Sequence, residues 1–172
     1  LGKFAEARKL YDQALEIRPA NSDSLYLKGL LLLLQGALEE GWRLHESRWD
    51  RRPLSTKKRL FSSPLWLGDS DLTDKTILLY WEQGFGDTIQ FARYAAEVKK
   101  RNCSVILEVR EPLIELMSHL DGVDNLIRYG TELPPHDFHC PLMSLPLALS
   151  TTLESIPSSP KYLRSSDKKK KK

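Results

Sequence analysis

The stretch ILLYWEQGFGDTIQFARY, Ile77 to Tyr94, decides how the second half of this chain is read. Ile77 to Trp81 is a short, continuous apolar run, the pattern of a strand buried on both faces of a parallel sheet. Glu82 to Asp87 follows as a tight loop with two glycines, Gly84 and Gly86. From Asp87 the residues fall at helical spacing, with Ile89, Ala92 and Ala96 on one stripe and Phe91, Ala95 and Val98 beside it. Lys99, Lys100 and Arg101 stand where a helix dipole favours cations, and Asn102 stops the element.

The alternation continues downstream. Ser104 to Val109 reads as a second buried strand, EPLIELMSHL as a helix with Pro112 in its first turn, and Asn125 to Arg128 as a third strand after a turn at Gly122. This β-α-β-α-β order predicts a Rossmann-like parallel sheet over residues 76–163. Upstream, residues 55–75 read as a linker. Phe61, Leu65, Trp66 and Leu67 within it are too apolar to hang free, so they are expected to dock on the following domain.

The first third carries an internal repeat. LGKFAEARKLYDQALEIRP from Leu1 and QGALEEGWRLHESRWDRRP from Gln35 match at Gly2 and Gly36, Glu6 and Glu40, and Pro19 and Pro53, with Tyr11 opposite His45. Every offset is 34 residues. Ala7, Ala14, Gly29 and Gly41 let paired helices approach, while Phe4, Tyr11, Leu15, Leu38 and Trp42 fill the space between them. Residues 1–54 therefore resemble one half plus one complete tetratricopeptide repeat, with Gly41 and His45 departing from the usual alanine and aromatic. About three repeats are normally needed for independent stability, so these helices are expected to end a longer array or lean on the next domain. The resemblance implies a protein partner or acceptor held on the helices.

Of the 172 residues, 41% are hydrophobic and 28% charged, an ordinary globular composition. The net charge of +3 comes from Lys168 to Lys172; without them the 23 acidic residues outnumber the cationic ones. The basic balance thus describes a Lys-rich tail, 164–172, expected to be disordered, and not a nucleic-acid surface. Two cysteines make no disulfide framework, and the longest aliphatic run, Leu30 to Leu34, is far short of a membrane span. A cytoplasmic location is expected. The chain starts at Leu1 inside a helical pattern, so it is expected to be part of something longer.

The loop at Gln83, Gly84, Phe85 and Gly86 lies where parallel sheets bind ligands, beyond the carboxyl end of a strand. The glycines permit positive φ and close backbone approach. A dinucleotide fingerprint needs a third glycine where Ile89 stands, although Glu108 or Glu111 could serve as its ribose-binding acid. Asp87 would also set a negative charge where pyrophosphate must sit. No G-K-[ST] follows, so this is no P-loop. Asp87 can act as a helix N-cap, with Gln90 closing a capping box. It can also accept a proton from a substrate hydroxyl. The two roles can coexist.

EQGFGDTIQFARY after ILLYW, with FSSPLWLG before it and HCPLMSLPLALSTTLESIP and PKYL after it, resembles the domain that follows tetratricopeptide repeats in bacterial glycosyltransferase-like proteins. That domain is similar to the N-terminal half of the GT-B fold, as in heptosyltransferases and O-linked N-acetylglucosamine transferases. The resemblance implies an inverting sugar transferase with Asp87 as base on the acceptor hydroxyl. Gln83, Gly84, Phe85, Gly86 and Gln90 would line the acceptor. His136 or His139 is a candidate for the same lining; otherwise PPHDFHC reads as a loop and a short strand. A nucleotide-sugar donor is expected only for a complete protein with a second such domain, because nothing after Leu163 can form one. The expected fold is thus α/β with an N-terminal all-α module. The competing expectation is a tetratricopeptide interaction protein whose α/β part does not catalyse. His136, His139 and Cys140 lie close in sequence but lack a fourth ligand and a common helix, so no metal is expected.

Overall fold

The computed structural model describes residues 2–51, 58–159 and 161–163. The expected tail at 164–172 and the repeat-to-linker junction at 52–57 lie outside the described residues. The chain divides into two compact units, Leu1–Arg59 with Ser150–Ile156, and Leu60–Leu149 with Pro157–Lys172. The expected boundary of 76–163 therefore needs one correction. Ser150–Ile156 groups with the helical unit, and Leu153 lies against Gly36 there.

The helical unit contains α1 (Phe4–Ile17), α2 (Ser22–Leu34) and α3 (Leu38–His45), with α3 running on into a 3-10 turn, Glu46–Asp50. α1 and α3 begin at Phe4 and Leu38, the same offset that the repeat shows. Arg18 leaves helical geometry immediately before Pro19, as residues before proline tend to. Asn21 caps α2 by accepting the Ser24 N–H at 2.8 Å. Gly29 and Gly41 let α2 and α3 meet almost backbone to backbone. A Cβ on Gly41 would lie 2.8 Å from the Leu33 side chain, and one on Gly29 3.1 Å from the Gly41 carbonyl oxygen. Lys28, from α2, pairs with Asp12 of α1 at 2.8 Å and with Glu40 of α3 at 3.6 Å.

His45, to which the sequence assigns no role, is 2% exposed. Its ring lies 5.3 Å from Tyr26 and 5.4 Å, edge-on, from Trp42. Its Nδ1 faces Arg48 Nη1 at 3.4 Å. Burial, and then the Arg48 charge, lower its pKa to about 3. Both causes disfavour the imidazolium.

The second unit is α/β with a four-stranded, wholly parallel sheet of order β3-β2-β1-β4, a Rossmann-like arrangement. The strands are β1 (Thr76–Tyr80), β2 (Ser104–Val109), β3 (Asn125–Arg128) and β4 (Phe138–Pro141). Ile77, Leu78, Leu79, Val105, Leu107 and Val109 are fully buried, which explains why the two central strands read as unbroken apolar runs. The short strand expected in PPHDFHC is the fourth of the sheet, although it carries no such run. It is held by register: Leu78 opposes His139 and Tyr80 opposes Pro141. Beyond it, the Trp66 N–H donates to the His139 carbonyl at 2.9 Å, and the His139 N–H to that of Pro64 at 3.1 Å. Trp66 and Leu72 are each 1% exposed, so these two apolar residues upstream of β1 are part of this unit's core, with Phe61, Leu65 and Leu67 half-buried beside them.

The helix expected from Asp87 to Asn102 is two, α4 (Phe85–Ala92) and α5 (Ala95–Lys99). At the break the Tyr94 N–H reaches back only to Phe91, a tighter turn that buries Tyr94. Asn102 does stop the run, at φ 56°. EPLIELMSHL gives a 3-10 turn, Glu111–Leu113, leading into α6 (Ile114–Met117), and α7 (Leu145–Ala148) follows β4. The C-terminal piece of this unit clasps α4. The Tyr162 hydroxyl donates to the Ile89 carbonyl at 2.9 Å, and Arg93 lies 4.6 Å over the Tyr162 ring.

The turn at Gly122 is sterically closed. Gly122 sits at φ +84°, and a Cβ there would fall 2.5 Å from the Ala96 Cα. Gly122→Ala is expected to destabilise this unit by at least about 2 kcal/mol, from left-handed strain plus displacement of α5. Urea unfolding measures it, and a variant within about 0.5 kcal/mol of the parent would contradict this account.

Candidate functional site

The strand order reverses between β1 and β4, because the chain leaves β3 at one edge and returns on the far side of β1. In open parallel sheets the crevice at such a reversal, at the carboxyl ends of the strands, is where ligands bind. The loop after β1 stands there. Its first residues are pinned from below: Glu82 is 2% exposed and accepts the buried Met143 N–H at 3.1 Å. Glu82→Ala leaves that N–H unsatisfied and is expected to cost about 1–3 kcal/mol. Glu82→Gln, which keeps an acceptor, is expected to recover most of it in the same urea titration.

The glycines do not behave as expected. Gly84 is the N-cap of α4, with φ −77° and ψ 171°, and Gly86 lies inside its first turn. Neither has positive φ. Asp87 is therefore not the N-cap but the third helical residue. Its Oδ2 accepts the Gly84 N–H at 2.9 Å, the backward half of a capping box, and a Cβ on Gly84 would press on that carboxylate at 3.1 Å. A glycine cap brings no side chain for the Gly86 or Asp87 N–H, while the Thr88 N–H makes the ordinary first helical bond to the Gly84 carbonyl. Gln90 takes no part in the cap; it is exposed, and its carbonyl accepts from Arg93 Nε at 2.9 Å.

Gly84, Phe85 and Gly86 are exposed, and Gln83 and Asp87 half-buried. These five therefore lie together at the sheet's carboxyl edge. His139 does not join them. It opposes Leu78 in the middle of the sheet, short of the strand end, with its ring stacked 4.2 Å from Phe61 and 5.8 Å from Tyr80. The alternation of strand side chains turned it onto a packed face, and the correction is that it belongs to the core. The acids considered for a ribose also lie elsewhere. Glu108 is fully buried in β2, and Glu111 pairs with Arg128 at 2.9 Å. Among the described residues no group of three His, Cys, Asp or Glu could hold a metal, and no helix is long and apolar enough to cross a membrane.

Sequence reasoning missed a cluster beside the loop. Trp81 follows β1, Arg110 follows β2, Tyr129 follows β3 and Phe85 opens α4. The Arg110 guanidinium lies 5.1 Å from the Trp81 ring centre and 4.7 Å from that of Phe85, and Tyr129 meets Trp81 edge-on at 5.0 Å. A shared signal was legible for three of them: Trp81, Arg110 and Tyr129 are each the first residue after a strand, the position that a parallel sheet presents at its carboxyl edge.

No family model matches the chain, and no curated protein and no solved structure matches it either.

Proposed function

We propose that the α/β unit is the acceptor-side half of a GT-B sugar transferase, carried behind tetratricopeptide helices. The observation that supports this most is Gly86. It sits in the first turn of α4, where glycine weakens a helix, yet a Cβ there would meet no atom of the chain within 4 Å. The fold itself does not need a bare backbone at this point. A substrate approaching the carboxyl edge of the sheet does. Asp87, one residue on, supplies a carboxylate at the same edge.

In the reaction this reading assigns, Asp87 takes the proton of an acceptor hydroxyl. The oxygen forms a bond to the anomeric carbon of a nucleotide-sugar with inversion, and the bond from that carbon to the nucleoside diphosphate breaks. The donor would be held by a second α/β domain of the complete protein. The test is transfer of labelled sugar by the protein from its full reading frame, across a panel of nucleotide-sugars. Turnover with any donor supports the reading; failure of every donor to label any acceptor counts against it.

A second reading is favoured by a separate observation. α1 buries no residue, and Phe4, Leu10 and Ile17 on it are 40%, 59% and 79% exposed. Such a helix suits a partner helix, as in a repeat array, whether or not the α/β unit catalyses. An exchange of Leu10 for Glu that abolishes a protein complex but leaves sugar transfer intact would separate the two roles.

A further inference from the structure

Arg110 is the one charged side chain of the carboxyl-edge cluster that the fold leaves without a counter-ion. It is exposed, and among the described residues it forms no ion pair and no side-chain hydrogen bond. Its neighbour in sequence, Glu111, is taken by Arg128 from β3. The guanidinium is nevertheless not adrift. Two ring faces, Trp81 and Phe85, lie within reach on the strand end and the helix start, and Tyr129 buttresses Trp81. Cation–π contact fixes the plane of the guanidinium while leaving its N–H edge for another group. A planar fork with its entropy already spent is suited to the two oxygens of one carboxylate or phosphate.

The position carries the chemistry further. Phe85 and Asp87 are the first and third residues of α4, so they project about 200° apart around its axis. The cationic clamp and the candidate base thus flank the same helix start from opposite sides. Among the described residues the two groups form no ion pair, and Asp87 keeps its charge while one oxygen accepts the Gly84 N–H.

We infer that Arg110, clamped by Trp81 and Phe85, binds an acidic group on the sugar acceptor, so that the substrate of this site is an anionic saccharide. The inference rests on the transferase reading for the word acceptor, but the binding itself does not. Carboxylate and phosphate share the recognition chemistry, and the test distinguishes them.

The experiment is a titration followed in ¹⁵N–¹H spectra of the intact chain, read at the Trp81 indole N–H and the amides of Gly84 to Asp87. Trp81→Phe assigns the indole signal. Probes are glucuronate, glucose 6-phosphate and neutral glucose. Saturable shifts with one or both anions at or below about 10 mM, and none with glucose, are expected. Arg110→Gln should weaken anion binding at least about tenfold with the rest of the spectrum unchanged, and Arg110→Lys should retain part of it, because the charge stays while the fork is lost. No saturable shift with either anion overturns the inference, as does equal binding by glucose or by the Arg110→Gln protein. Anion binding without sugar transfer would count against the transferase reading alone, and transfer to neutral acceptors without anion binding against this inference alone.

Discussion

Asp87→Asn in the full-length protein is expected to lower kcat at least about a hundredfold while leaving thermal stability nearly unchanged. The structural role of Asp87 is narrow: one oxygen accepts the Gly84 N–H at 2.9 Å. An asparagine carbonyl can accept that same bond in the same rotamer. What the exchange removes is the charge, worth about 0.3–1 kcal/mol in the first turn of a helix. Loss of general-base catalysis costs about 10² to 10⁴ in rate, or roughly 3 to 5 kcal/mol of barrier. The two effects differ enough in size to be told apart, where alanine would remove bond and charge together. Gly86→Ala makes a useful companion. It should hold or raise stability, since the position is helical and open, while impairing transfer. An Asp87→Asn enzyme within a few-fold of wild type would leave Asp87 as the closing bond of a glycine-capped helix and nothing more.

The sheet was legible where burial on both faces forces a continuous apolar run, as at Ile77 to Tyr80 and Val105 to Val109. At Phe138–Pro141 only a short strand was legible and not its place in the sheet, because histidine and prolines mask the apolar run and pairing with β1 is what fixes it. The same strand explains the error at His139. A histidine near a cysteine suggests a site until register shows that it lies mid-sheet against Phe61. At the glycine loop the location was right and the backbone wrong. Two glycines suggested positive φ, but one is an N-cap in extended geometry and the other is helical, so the helix begins two residues before Asp87. Arg110 shows the opposite limit. Its position directly after a strand was legible, but its partners were not; only the parallel register, which brings the ends of β1, β2 and β3 to one edge, puts it between Trp81 and Phe85. The helices of the first unit were readable because helical spacing survives single departures. His45, one such departure, is where the helical unit is expected to be sensitive to acid.

That sensitivity is the second large effect expected. The pKa of His45 falls from 6.5 to about 3 on folding, chiefly through burial and then through Arg48. Between those two values the unfolded chain binds a proton that the folded one refuses. Stability must therefore rise with pH across this window, be fully present above about pH 6.5, and be lost as the pH falls. Each unit of pH inside the window is worth up to about 1.4 kcal/mol, so by pH 5 the helical unit should have lost about 2 kcal/mol on account of this one side chain. That is a sizeable share of the roughly 5–15 kcal/mol by which native domains are stable. Urea unfolding at pH 7, 6 and 5, followed through amide signals of α2 and α3, measures the slope. His45→Phe keeps a ring between Tyr26 and Trp42 and removes the titration. It also removes the contact with Arg48, which lowers stability about equally at each pH. The expected result is a variant less stable than wild type at pH 7 but with a much flatter response below it, the two curves converging as the pH falls. Parallel curves would mean that carboxylates elsewhere set the acid response and that His45 gains its proton without opening the helices.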